Sequence, residues 1–173
     1  MKKILILLFC CLSLTAVAQD AGHGLHFGYI SYDSALVAMP DYAEARQSLA
    51  ELRKKYDAEM SRAEEEFNKK YEEFLEGRND FPASILRKRQ RELQELMNRN
   101  VTFRQQARED LIKAEGEAMA PLRSRLDKAI AHVAASHELA FVLNTSQNAC
   151  PYISPAMGVD ITEIVIGILR SKD

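Results

Sequence analysis

Residues 41–77 read DYAEARQSLAELRKKYDAEMSRAEEEFNKKYEEFLEG, and this stretch decides the fold of the chain. Its apolar side chains recur at steps of three or four residues, at Tyr42, Ala45, Leu49, Leu52, Tyr56, Met60, Ala63, Phe67, Tyr71 and Phe74. That spacing draws one apolar stripe along an α-helix whose other faces are polar. At about 1.5 Å per residue, such a helix is roughly 50 Å long. A chain of 173 residues offers no compact core of that length, so we expect the helix to project.

A second long helix follows a turn at residues 77–82, where Gly closes one helix and Pro opens the next. It runs from about Pro82 to His137, with apolar residues again at helical spacing, at Leu86, Leu93, Leu96, Met97, Phe103, Ala107, Leu111, Ala114, Leu122, Leu126, Ile130 and Val133. We therefore predict a long antiparallel coiled-coil hairpin over residues 41–137. Residues 98–110 contain few large apolar groups, so looser packing is expected there.

The charges of the two helices favour the hairpin. Residues 41–80 carry twelve acidic and eight basic side chains, whereas residues 81–113 carry four acidic and eight basic ones. Opposite charges help to fix the orientation and register of paired helices. Folding at the turn is expected to bring together Glu72, Glu73 and Glu76 with Arg87, Lys88 and Arg89.

The hairpin cannot use the whole second helix. Because the hairpin turns at residues 77–82, the first helix can pair with the second only as far as about residue 118. Gly116 and Pro121 lie at this junction, and a proline inside a helix bends it. We expect a kink near residues 116–121 and a separate body beyond it.

Strand patterns replace the helical pattern near both ends of the chain. His26–Tyr32, Leu139–Thr145 and Cys150–Ser154 each combine apolar or aromatic residues with flanking turns. A short helix over Ile161–Leu169 follows a stretch that resembles a capping box, in which Asp160 accepts N–H bonds and Glu163 reaches back. Residues 19–40 and 138–173 are thus predicted to form one small β-body, and the fold class is mostly α with that β-body (α+β). Its strand edges invite pairing between copies, for which the candidates are Phe27, Tyr29, Phe141, Leu143 and Tyr152.

Residues 1–18 have the pattern of a secretory signal peptide. Lys2 and Lys3 precede an apolar run, and Ala16-Val17-Ala18 forms a cleavage site. The run is shorter than a membrane span, which needs about 20 apolar residues. We expect export and cleavage before Gln19. A lipoprotein is the weaker alternative, because large residues precede Cys10.

The mature chain is mildly acidic and has one cysteine. Without Lys2 and Lys3, 21 basic side chains stand against 25 acidic ones, a net charge of −4. A nucleic-acid-binding protein has a strong basic excess instead, so no nucleic-acid partner is expected. Cys150 remains without an intramolecular partner, and we interpret it as a small packed side chain, with an intermolecular disulfide or a reactive thiol as the alternative.

No residue pattern indicates catalysis. The sequence contains neither G-x-x-x-x-G-K-[ST] nor G-x-G-x-x-G, the motifs of nucleotide-binding loops. His132 and His137 are five residues apart, which does not place two metal ligands on one helix face. Glutamate runs at 64–66 and 72–73 are typical of solvated helix faces. We predict a protein that is not an enzyme and that has no cofactor or metal.

Two groups on the hairpin are candidates for contact with another molecule. Apolar side chains near its tip and thin seam are the candidate client contacts, namely Phe74, Phe81, Met97 and Phe103. A basic run near the tip comprises Arg87, Lys88, Arg89 and Arg91. This run either neutralises the acidic end of the partner helix or attracts acidic clients and anionic lipid headgroups in a transient membrane contact.

The sequence resembles the OmpH/Skp family of periplasmic outer-membrane-protein chaperones over essentially the whole mature chain. The likeness rests on GYISYDSALVAMPDY at 28–42, the helical hairpin, and Val159-Asp160-Ile161-Thr162 before a short apolar helix. It implies a periplasmic homotrimer whose small β-bodies join and whose three hairpins surround a cavity. It also implies an ATP-independent holdase for unfolded outer-membrane β-barrel proteins. A structural or adaptor coiled coil of the cell envelope is the alternative function.

Overall fold

A computed structural model describes residues 26–171 of the chain. The predicted signal peptide and its cleavage site lie outside the described residues. The elements are, in chain order, β1 (Phe27–Ile30), α1 (Tyr32–Val37), α2 (Pro40–Gly77), α3 (Ala83–Ser136), β2 (Val142–Asn144), a 3-10 turn (Ser146–Asn148), β3 (Gly158–Asp160) and α4 (Thr162–Arg170).

Helices α2 and α3 pack side by side in opposite directions. The Tyr56 hydroxyl donates to Asp110 Oδ2 at 3.0 Å, and Arg46 lies 3.6 Å from Glu115 nearer the base. The predicted stripe on α2 faces α3, and all its members are half-buried except Tyr71, which is exposed. The apolar residues at helical spacing therefore lie on the side of α2 that faces α3.

The pairing extends further than predicted. Arg125 donates to Asp41 Oδ2 at 2.7 Å, so the expected limit near residue 118 was wrong by about two turns. Side chains of a helix lean toward its own N-terminus. In an antiparallel pair this lean carries the Arg125 side chain toward the tip and that of Asp41 toward the base. The two side chains therefore meet although their backbone positions are not level along the hairpin. α3 is continuous through Pro121.

The three strands form a parallel sheet in the order β2-β1-β3. Gly28 of β1 pairs with Val142 on one side and Val159 on the other. The strand predicted at Cys150–Ser154 was wrong, because that segment is irregular and β3 lies at Gly158–Asp160 instead. Tyr152 is consequently in a loop, with 80% of its surface exposed.

Asp160 acts at the start of α4 in a simpler way than the predicted capping box. Its Oδ1 accepts hydrogen bonds from the backbone N–H of Thr162, at 2.9 Å, and from the Thr162 hydroxyl, at 2.6 Å. The residue that caps the helix is Ile161, which has no side-chain cap bond, and Glu163 is in the first turn. The local turn is therefore made by Asp160 alone.

One core joins the sheet, α1, α4 and the last turns of α3. It contains the buried side chains Ile30, Ala35, Met39, Met119, Leu122, Leu126, Ala129, Val133, Ile161, Val165, Ile166 and Leu169. Tyr42, Ala45 and Leu49 of α2 pack against it. The body is thus not separate from the hairpin, since the base of the hairpin is built into its core.

Candidate functional site

The predicted client-contact residues of the hairpin are only partly exposed to solvent. Phe103 is half-buried, with its ring centroid 6.1 Å from that of Tyr56. Phe74 is also half-buried at the interface of the helices. Met97 is 43% exposed, so among these three it offers the most surface to another molecule.

Phe81 at the tip packs against Gly77. A Cβ added at Gly77 would overlap the Phe81 ring, so the absence of a side chain there makes room for the aromatic group. Gly77 was predicted to end the helix, and it is the last residue of α2, although no described glycine has a positive φ. Its role is close packing, and Phe81 is half-buried as a result.

The basic run at the tip pairs locally. Lys88 and Arg89 lie 3.7 and 3.4 Å from Glu92, on the same helix. Between residues 26 and 171, no ion pair joins the run to the acidic side chains of α2, and neutralisation of the run across the helices stays a prediction. Pairs three or four residues apart on one helix need little ordering to form. Arg87 and Arg91 are exposed, so the positive charge of this run faces solvent.

The thin part of the seam is held by polar contacts. Asn100 Nδ2–H donates to the carbonyl oxygen of Ala63 at 2.9 Å, and Ala107 is buried between the helices. Near them the hydrogen bond from Tyr56 to Asp110 raises the pKa of Tyr56, since the phenolate would lose the bond and face a carboxylate. Specific bonds therefore hold the stretch in which the sequence predicted loose packing.

Sequence reasoning missed the most exposed apolar side chains of the hairpin. Val101 and Ile112 are 59% and 62% exposed, and Tyr71, Leu75 and Ile85 are also exposed. Val101 and Ile112 lie off the stripe of α3, and a search for the buried face passes over such residues. The pattern that could have found them is a second apolar line at helical spacing.

The β-body also exposes apolar groups. Phe27 and Tyr29 of β1 and Leu143 of β2 are half-buried, and the Phe27 ring stacks on that of Phe141 with centroids 5.4 Å apart. Phe141 precedes β2, whose strand begins one residue later. The exposed apolar side chains of the body are Val37, Phe141, Tyr152, Met157, Val159, Ile164 and Ile168. Each of these side chains is accessible to a partner.

The described part of the chain contains no cluster of metal-ligating side chains. No group of three or more His, Cys, Asp or Glu residues within 26–171 could hold a metal ion. Over the same range, no helix is long and apolar enough to cross a membrane. Cys150 is a free, half-buried thiol.

The comparison with protein families decides what kind of protein this is. The family model described as "Outer membrane protein (OmpH-like)" matches residues 26–169, which include every element of the structure but the end of α4. The chain belongs to the OmpH-like family. Among curated proteins no sequence match is found.

A solved structure shares the OmpH-like fold. It is an OmpH-like protein from Caulobacter crescentus CB15, described as a candidate outer membrane chaperone. The two chains superpose with a TM-score of 0.67 at 17% identity, over 83% of this chain and 82% of the other. A likeness at this identity establishes the shared architecture, a small sheet with a long helical arm.

Proposed function

We propose that this OmpH-like chain is an ATP-independent periplasmic holdase that binds unfolded outer-membrane proteins and keeps them soluble for membrane assembly. The observation that carries the proposal is the absence of any fully buried residue in α2, along all of its 38 residues. Its apolar stripe is only half-covered by α3, so the arm keeps apolar surface within reach of other molecules. Apolar surface of this kind binds exposed apolar segments with no chemical step.

The family and the described Caulobacter relative support the same class of client. The family description names an outer membrane protein, and the Caulobacter structure is described as that of a candidate outer membrane chaperone. A holding protein needs no catalytic residues, and the sequence motifs for nucleotide binding are absent. We infer a non-enzymatic role in the periplasm.

We further propose that the chain works as a homotrimer joined through its β-bodies. Strands β2 and β3 pair with β1 on one side only, which leaves an edge of each without a strand partner among residues 26–171. Ile164 and Ile168, four residues apart on α4, are exposed, whereas Val165, Ile166 and Leu169 of the same helix are buried in the core. Apolar groups and strand edges of this kind are suited to contact between copies.

Two measurements test the proposal. An unfolded β-barrel outer-membrane protein is diluted from urea with the mature protein in stoichiometric excess, and aggregation is followed by light scattering. A holdase is expected to suppress the scattering increase, and unchanged aggregation would favour the adaptor alternative. Multi-angle light scattering then gives the molar mass in solution, for which a monomer would contradict the trimer.

A further inference from the structure

Two lines of side chains lie on one face of the hairpin. On α3, residues 97, 101, 104, 108 and 112 follow one another at steps of three or four, and on α2 residues 64, 68, 71 and 75 do so. Such steps keep side chains on the same side of a helix. Arg104 of the first line forms an ion pair with Glu64 of the second. Both lines therefore face the same way.

This side, which we call the apolar face, carries most of the exposed apolar surface of the hairpin. Its exposed large apolar residues are Tyr71, Leu75, Met97, Val101 and Ile112. Within the described hairpin, Ile85 is the remaining side chain of this kind. Apolar exposure is thus concentrated on one side of the arm.

The opposite side of the hairpin is charged. Arg99 is two residues from both Met97 and Val101, and Glu66 is two residues from Glu64, so each lies about 200° around its helix from the apolar face. There they line a groove between the helices together with Lys70, Arg89, Glu92, Glu95, Leu96 and Asn98. Only one side of the arm is therefore suited to apolar contact.

Toward the base, the chain itself covers the apolar face. The line on α3 continues at the same steps through residues 115, 119, 122 and 126. Met119, Leu122 and Leu126 of this extension are buried in the core with α1 and α4. The exposed line is a continuation of a packed interface, and along the arm none of residues 26–171 covers it.

We infer that the apolar face is the client-contact surface, and that its occupant is an extended, unfolded polypeptide segment with apolar side chains at alternate positions. Met97 and Val101 are one helical step of four residues apart, about 6 Å. Side chains on one side of an extended chain are about 6.6 Å apart, so the two spacings nearly match. The inference rests on the proposed holding function and assigns it to a specific side of the arm.

The interruptions in the line favour an extended segment over a helix. A third helix in a seam needs an apolar residue about every 3.5 positions, whereas Arg104 and Arg108 stand between Val101 and Ile112. Permanent interfaces between folded partners are also more continuously apolar. An unfolded segment instead has free backbone carbonyls, and the Arg108 guanidinium can donate to them, since no ion pair found in residues 26–171 involves it.

The test compares substitutions on the two sides of the arm in the full mature protein. One variant carries Met97→Gln, Val101→Gln and Ile112→Gln, because glutamine preserves helix propensity. The control carries Lys70→Gln, Glu95→Gln and Arg99→Gln on the charged side. The concentration needed for half-maximal suppression of client aggregation is expected to rise about tenfold in the first variant and to stay unchanged in the control. Circular dichroism and molar mass in solution establish that fold and assembly are retained.

A crosslinking measurement covers the case in which the triple variant misfolds. The photoreactive residue p-benzoylphenylalanine replaces Val101 in one protein and Arg99 in another, and each is illuminated with unfolded client. Crosslinks at position 101 and few at position 99 are expected. Equal crosslinking at both positions, or full suppression by the folded triple variant, overturns the assignment of the face while the holding function stands. Failure of the wild-type protein to suppress aggregation overturns both.

Discussion

Glycine has two different uses in the long helices. Gly116 lies exposed inside α3, and a Cβ added there would meet nothing within 4 Å. Gly116→Ala is therefore expected to raise the free energy of unfolding by about 0.5–1 kcal/mol, because alanine loses less backbone entropy on folding. Urea unfolding followed by circular dichroism measures the change.

Gly77→Ala is the matched comparison. It gains the same helix propensity but must displace the Phe81 ring, so the stabilisation is expected to be smaller or absent. Equal gains in the two variants would contradict the packing of Phe81 on Gly77. The sequence correctly indicated a turn here, but it could not reveal a contact that depends on how the chain folds back.

Glu138 adopts an unusual backbone conformation after α3. Its φ is 53°, and the next residue, Leu139, donates its N–H to the Ala134 carbonyl at 2.9 Å, which closes the helix end. A non-glycine residue in this region is disfavoured by roughly 1–2 kcal/mol. Glu138→Gly is expected to stabilise the protein, whereas Glu138→Ala leaves its stability nearly unchanged. A lower melting temperature for the glycine variant would contradict this account.

At the scale of elements, periodicity predicted the hairpin because an apolar stripe repeated over many turns is typical of a long helix that packs along one side. The third strand was not predictable in the same way. The segment at Cys150–Ser154 has stronger strand preferences than Gly158–Asp160, yet the latter pairs with β1. Any side chain at Gly158 would meet Phe27 and Ile153 at 2.8 Å. The position of the third strand thus depends on close packing, including packing against Phe27, which is distant in sequence.

The exposed apolar face also could not be identified from the sequence alone. Its residues repeat at helical spacing, as do those of the seam, and sequence alone does not tell which of two lines the partner helix covers. Met97 was predicted as a client contact and lies on this face, whereas Phe103 belongs to the seam. Contacts seen in the structure, such as the ion pair between Glu64 and Arg104, are needed to show which residues of the two helices share a side.

The polar bond across the seam is expected to limit hairpin stability. Asn100→Leu removes the hydrogen bond to Ala63 but leaves that carbonyl bonded within α2, and it adds apolar contact. We expect a gain of about 1 kcal/mol in unfolding free energy, as when a polar seam residue of a coiled coil is replaced. Asn98→Leu, on the charged side, serves as the control and should give no gain. A loss of stability in Asn100→Leu would mean that the hydrogen bond outweighs apolar burial.

Alkaline pH should weaken the cross-helix bond of Tyr56. The bond to Asp110 raises the pKa of Tyr56 above its ordinary value of 10.0. A pKa raised by folding stabilises the protein fully below the unfolded value and ceases to do so as pH rises through the folded value. The stability advantage of the wild type over Tyr56→Phe is therefore expected at pH 8 and lost once the pH rises above the raised pKa of folded Tyr56. Urea midpoints of the two proteins over a series of alkaline pH values measure the loss, with Tyr71→Phe as the control.

At the scale of the whole molecule, the proposed trimer depends on the body and not on the arm. Ile164→Asp together with Ile168→Asp places charges on the exposed side of α4, where burial between copies would become unfavourable. We expect the molar mass in solution to fall to that of a monomer while helical content is retained. Ile112→Asp on the arm is the comparison and should leave the mass unchanged. A trimer that survives both isoleucine substitutions would place the contact elsewhere.

The strands that pair in the sheet lie before and after the arm in the sequence, and this separation affects the order in which arm and body fold. Its central strand comes from the start of the described chain, and Gly28 pairs with Val142 and Val159, more than a hundred residues later. Closing a loop of that length is entropically unfavourable, whereas a helical hairpin grows from neighbouring turns. Once α2 and α3 have zipped together, Asp41 and Arg125 are already adjacent, and the ends that carry the strands are close. The arm is therefore expected to form before the body that anchors it, so that a folding chain would expose the proposed client-contact face before the proposed trimer could assemble.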